Sequence, residues 1–338
     1  MISFRFHVVS ITAIFLAIAI GVVVGSTYVD GAVVDGLRNR IDSVSQNLDE
    51  RKAENDRLEV DLDAARRYID GSADFAVTDR LADEPVLVVA ARGVDEASVE
   101  QIALLSRQAG GVVAGVVWLE PRWGLQDGDD RASLAEIVGG NADDAAEDLW
   151  SAAWDAAVEE LTADEPAEDP SATSPTTVPG ATDPAPTTTD QPARTTDVLG
   201  PLEAGGFLSI ESLNDASVSA TDLGGTNPAA ILLTGSRARD ELEPMLPIVV
   251  EATTEAGMPI VVGDVHVQAP EAAGRGELLT ATFSQELRDV IVLVDDADLP
   301  EGHVATVLAL DGAIDGLVGL HFGVGDGADG LLPRWTPL

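Results

Sequence analysis

The sequence contains no cysteine, a single lysine at Lys52, and only 19 Lys plus Arg among 338 residues. Without thiols the chain has no disulfides, no thiolate metal site and no Cys nucleophile. The few cations face 59 Asp plus Glu, for a formal net charge of -40. That field repels a polyanion instead of drawing it in by counterion release, so no nucleic acid partner is expected. The G-x-S-x-G, H-E-x-x-H and P-loop patterns are also missing, and no Ser/His/Asp set follows from spacing. No catalytic residue is assigned and the chain is not read as an enzyme.

Charge is absent altogether from Val8 to Val29, where VVSITAIFLAIAIGVVVGSTYV supplies about the 20 residues a helix needs to cross a hydrocarbon core. A soluble core helix is rarely apolar on every face over that length. Arg5 and the amino terminus precede the run and Asp30 and Asp35 follow it, so the positive-inside bias places the N-terminus in the cytoplasm and the bulk of the chain outside. A cleaved signal peptide is the competing reading; against it stand the length of the run and the lack of a clear A-x-A site. Residues 1–29 are thus expected to form a cytoplasmic tip and a single-pass membrane anchor. Within it Ala13, Ala17, Gly21 and Gly25 recur every fourth position and end in a G-x-x-x-G match, a ridge along which two helices approach closely. Small residues are also simply common in such spans.

Over 30–71 the spacing changes. Val34, Leu37, Ile41, Val44, Leu48, Arg51, Asn55, Leu58, Leu62, Ala65 and Ile69 follow one another by alternating steps of three and four, the heptad rhythm of a coiled coil. With Leu37 at d, Asn55 falls at a, where a buried Asn favours a two-stranded, in-register pair. Both strands leave the same membrane face, so the predicted stalk is a parallel homodimer.

Beyond it, Pro85 precedes VLVVAA, helical spacing runs from Val94 to Ala109, and Val112 to Leu119 reads as a second strand. The pattern returns with a strand at 229–235, a helix from about Asp240 to Ala256, a strand at 259–263, a strand at 290–294 and a helix at 302–310. Continuous apolar strands alternating with helices predict a doubly wound α/β domain around a parallel sheet covered on both faces. Trp150, Trp154, Val158 and Leu161 share one helical face and read as core. The domain is divided into 84–163 and 198–338 by 164–197, rich in Thr, Pro and Asp. So few large apolar residues cannot offset the entropy of ordering, and a disordered linker is expected.

Carboxylates gather where strands end: Asp264, then Asp295, Asp296 and Asp298, with His266 and His303 nearby. The carboxyl ends of strands form the ligand crevice of open α/β sheets, so these six residues are the candidate ligands for a divalent cation, or the lining of a small-ligand site. The competing reading is that Asp295, Asp296 and Asp298 are loop and N-cap residues. Gly325, Gly327 and Gly330 match G-x-G-x-x-G, but Asp326 and Asp329 lie inside the match and LLPRW follows it, so it is rejected as a nucleotide site. His321 stands beside that loop.

The opening MISFRFHVVSITAIFLAIAIGVVVG, the stalk ending DFAV, the segment VDDADLPEGHVATVLAL and the closing HFGVGDGADGLLP resemble the mycobacterial copper transport protein B family of actinobacterial envelope proteins. The resemblance covers nearly the whole chain except the Thr/Pro segment. It implies a role in copper efflux or homeostasis. Its SteB-like members imply an alternative, an anchored dimeric scaffold that engages a membrane protein of the cell-separation machinery to control peptidoglycan hydrolysis. Copper(I) prefers soft ligands, and Met245 and Met258 are the only internal methionines.

Overall fold

The computed structural model describes residues 4–163, 197–213, 217–235, 238, 240–266, 276–325 and 327–333, with backbone alone over 26–34. The described chain divides into two units, Met1–Arg67 and Tyr68–Leu338.

The first unit is the greater part of one 74-residue helix, α1 (Phe4–Val77). Its apolar stretch, Phe4–Gly25, is 22 residues long with none of it buried. At the helical rise this is about 33 Å, enough by length and composition to cross a bilayer core. Ala13, Ala17, Gly21 and Gly25 all lie on it, and space is open around both glycines. The heptad positions Leu37, Ile41, Val44, Leu48, Leu58 and Leu62 are all exposed in the single chain, and Asn55 with them.

The second unit begins with the last turns of α1, where Ala73 and Val77 are buried and Ile69 is packed against the core. The chain then forms β1 (Pro85–Ala91), α2 (Glu96–Gln108), β2 (Val112–Leu119), α3 (Gly128–Val138), α4 (Ala146–Thr162), α5 (Leu199–Ala204) and β3 (Leu208–Ser212). There follow β4 (Ala229–Thr234), α6 (Leu246–Glu255), β5 (Ile260–Asp264), α7 (Glu277–Thr282), α8 (Gln285–Arg288), β6 (Val292–Val294), α9 (Pro300–Ile314) and β7 (Leu320–Phe322). The seven strands make one sheet in the order β3-β2-β1-β4-β5-β6-β7.

Alternate residues of the central strands serve opposite faces. Leu87, Val89 and Ala91 join a core roofed by α3, α4 and α6, whereas Val86, Val88 and Ala90 join one closed by α2, α9 and the end of α1. Two covered faces explain why these strands read as continuous apolar runs. The aromatic stripe of α4 is core, as expected: Trp154 stacks on Trp123 at 5.3 Å, and Trp150 Nε1 donates to the Trp123 carbonyl at 2.8 Å.

Several expectations need correction. The sheet is mixed, because β3 runs antiparallel to β2 at one edge. Its sequence LSIES alternates, as suits a half-solvated edge strand, and so lacks the apolar run of the other strands. The helix expected from Asp240 begins at Leu246, after a 3-10 turn at Glu243–Met245. Pro247 lacks an amide hydrogen and fits only the first turn, which sets that boundary. Likewise Pro300 opens α9, which starts before Gly302 and runs past Leu310 to Ile314.

The expected linker lies, but for Asp197, outside the described residues. Its flanks are tied together: the buried Glu160 of α4 accepts the amides of Val198 and Leu199 through Oε2, at 2.8 and 3.0 Å. The chain thus leaves this core and re-enters it at one place.

Candidate functional site

All six parallel strands point their carboxyl ends to one edge, and the candidate residues collect along it. Asp264 is the last residue of β5, in register with Thr234 of β4, and both are 1% exposed. Asp295 and Asp296 follow β6 immediately and are fully buried. The acids that directly follow apolar runs in the sequence thus stand at the carboxyl ends of β5 and β6.

Asp295 is held by the chain itself. Val324 N donates to its Oδ1 and Gly325 N to its Oδ2, each at 2.9 Å, and His321 Nε2 lies 2.9 Å from Oδ2. Gly323 has φ +133, and a Cβ there would fall on the Asp295 carboxylate, so only glycine permits the approach. The glycine-rich segment is an anion cradle, but the anion is the protein's own carboxylate. That explains physically why its G-x-G-x-x-G pattern offers nothing to a nucleotide phosphate.

Asp298 was expected as a possible helix cap. The N-cap of α9 is Leu299, with no side-chain cap bond, and Asp298 Oδ1 instead accepts the His266 amide at 3.3 Å. Capping is thus replaced by a tie between the β5 and β6 loops. Asp296 contributes its carbonyl to the Leu299 amide at 2.8 Å. His303 sits one turn into α9, largely buried. Burial pushes its imidazole below the ordinary histidine range, against the opposing charges of Asp298, Asp70, Glu301 and Asp95. Among the described residues no group of three or more His, Cys, Asp or Glu side chains is arranged to hold a metal ion. The edge thus holds Asp264 at the end of β5 and Asp295 and Asp296 just after β6, adds His321 to Asp295, and sets Asp298 against the His266 amide and the His303 imidazole.

A second polar cluster, which the sequence reading missed, lies at the ends of β1 and β2. Arg92 NH2 donates to Glu120 Oε1 at 2.6 Å and to Ser209 Oγ at 3.0 Å, and its guanidinium lies 4.4 Å from the centre of the Trp118 ring. Trp118 Nε1 donates to Glu211 Oε2 at 3.1 Å. Burial raises the Glu120 carboxyl, but the hydrogen bonds from Arg92 and Ser209 and the Arg92 charge outweigh it and hold the group below the usual carboxylate range. The signal was present in Arg92 and Glu120, each the first charged residue after an apolar strand. Ser209 and Glu211 come from the edge strand that the sequence concealed.

Both methionines that softness would single out, Met245 and Met258, are buried in the core. The edge therefore offers oxygen and imidazole donors, the chemistry of hard or borderline cations.

Fold and site together define a class: a protein with an N-terminal apolar helix long enough to anchor it in a membrane, a heptad-patterned extension, and a mixed α/β domain with an acidic strand edge. The profile of the family described as "Copper transport outer membrane protein, MctB" matches residues 1–333, and the chain belongs to that family. Proteins named "Copper transporter MctB" from Mycobacterium bovis and Mycobacterium tuberculosis are each 25% identical to it over 329 residues, covering 97% of this chain and 98% of the relative.

Proposed function

We propose that the protein is a single-span, non-catalytic component of copper efflux or homeostasis in the cell envelope, paired through its stalk, with its α/β domain outside the membrane. The observation that carries this reading is the end-to-end match, in which anchor, stalk and sheet domain all correspond to a family described by copper transport. The orientation rests on Arg5 before the span and Asp35 after it. Pairing rests on six exposed aliphatic heptad residues that one chain leaves bare and a second identical chain would cover. One apolar helix cannot by itself enclose a channel, so the copper species is handled by an assembly to which this chain contributes.

Deletion of the gene is expected to raise copper sensitivity, and re-expression of the full chain to restore tolerance. A variant with Leu48→Asp and Leu58→Asp, which breaks the seam, is expected to fail to restore it. Unchanged copper tolerance together with a cell-separation defect would overturn this reading and favour the scaffold role that the SteB-like resemblance implies.

A further inference from the structure

The apolar seam of the stalk is interrupted at one place. With Leu37 at d, Arg51 falls at d and Asn55 at the next a, between the apolar layers of Leu48 and Leu58. The two polar positions are one turn, about 6 Å, apart on the helix. Lys52, the only lysine of the chain, takes the e position beside Arg51. The helix itself supplies no counter-charge here. Arg38 and Arg57 pair with Asp35 and Asp61 of neighbouring turns at 3.9 and 3.8 Å, whereas neither Arg51 nor Lys52 forms an ion pair among the described residues. All three side chains, Arg51, Lys52 and Asn55, are exposed on the single chain.

In a parallel two-stranded coiled coil each d side chain enters a hole of four residues on the facing helix. For Arg51 those four are Leu48, Arg51, Lys52 and Asn55 of the second copy, and none is a carboxylate. Glu54, three residues on, stands at g, where the second copy's Glu59 faces it as a like charge. The layer therefore gathers two guanidiniums and two ammoniums between apolar layers, and calls for an anion from outside the chain. Lipid headgroups do not reach it: Arg51 lies 26 residues past Gly25, about 39 Å of helix, against about 5–8 Å of headgroup region. An anionic polymer is repelled by the net charge of -40. A small tetrahedral oxyanion fits, because two planar forks each offer it paired N–H donors and the Asn55 amides add donors one turn away.

We propose that the paired stalk binds one small oxyanion, phosphate or sulfate, between the Arg51 side chains of its two copies, with Lys52 and Asn55 as further donors. The inference rests on the stalk pairing proposed above. Neither copy holds the site alone, so the anion binds the pair and not the single chain, and pairing and anion binding strengthen each other by the same factor. The polar layer thus makes the strength of the stalk respond to the oxyanion around it, while the apolar layers on either side hold the register.

The test uses the full chain in detergent micelles, with copies carrying donor and acceptor fluorophores, and titrates pairing in sodium chloride, sodium sulfate and sodium phosphate at matched ionic strength. The dimer dissociation constant is expected to be about tenfold lower in sulfate or phosphate than in chloride. Arg51→Leu restores an apolar d residue and keeps the pair, and is expected to give one constant in all three salts. Arg51→Lys keeps the charge without the planar fork and should show a smaller response. Leu48→Cys reports the stalk separately by disulfide formation, since the chain has no other thiol. A disulfide dimer whose constant is the same in the three salts, or a salt preference that survives Arg51→Leu, overturns the anion site and leaves the stalk standing. Absence of the disulfide dimer overturns the two together.

Discussion

Every described side chain from residue 35 to 65 is exposed, aliphatic heptad positions included, whereas the second unit buries its aliphatic residues on both faces of one sheet. The same residue types thus have opposite fates a few turns apart. A sheet domain supplies its own cover, because strands, helices and turns return the chain on itself. A lone helix cannot, so its apolar side chains are stable only against something external: lipid along Phe4–Gly25 and, we propose, a second copy beyond it.

The sharpest way to break this contrast is to charge each region in turn. Leu48→Asp with Leu58→Asp is expected to weaken self-association of the full chain by about two orders of magnitude or more, because charge enters an apolar seam, with head unfolding unaltered. Sedimentation and thermal unfolding of the same samples check both halves. Ile231→Ala, in the fully buried centre of β4, should do the reverse: a loss of about 2–5 kcal/mol in head stability by denaturant titration, with pairing intact.

Within the head, Gly323→Ala should cost about 1–3 kcal/mol, since it combines a disfavoured φ with a clash on the Asp295 carboxylate. His321 and Asp295 amide and imidazole resonances should shift with it. Glu160→Gln should cost about 1–2 kcal/mol by presenting an amide group to two backbone donors, and replacement of residues 166–194 by a short Gly/Ser linker should leave the unfolding midpoint nearly unchanged. The smallest effect concerns pH. Burial lowers the His303 pKa in the folded state, so the unfolded chain takes up that proton first as pH falls. Its contribution is fully present above the ordinary value of 6.5 and is lost as pH drops below it. His303→Gln should flatten the acid side of the stability curve, read by denaturant midpoints from pH 8 to pH 5.

The strands that were legible are those whose two faces are both covered: β1, β2, β4 and β5 carry continuous apolar runs. β3 escaped because its five residues alternate, and β7 because Leu320–Phe322 sets a histidine between its two apolar residues, unlike the VIVLV run that marked β6, and is defined by its pairing with β6. The acidic edge was legible because a carboxylate directly after a buried strand is a local pattern. The partner of each carboxylate was not. Asp295 meets His321, Val324 and Gly325, and Asp298 meets the His266 amide, across sequence separations that no local rule spans.

By itself the sequence determined the long charge-free helix, its heptad extension, the α/β alternation and the family, because each follows from periodicity or ordered motifs along the chain. Tertiary structure alone decided that β3 runs antiparallel, that the glycine-rich closing loop clasps Asp295, and that Arg92 and Glu120 form one cluster. Those outcomes depend on which distant segments become neighbours, and burial then makes their hydrogen bonds obligatory.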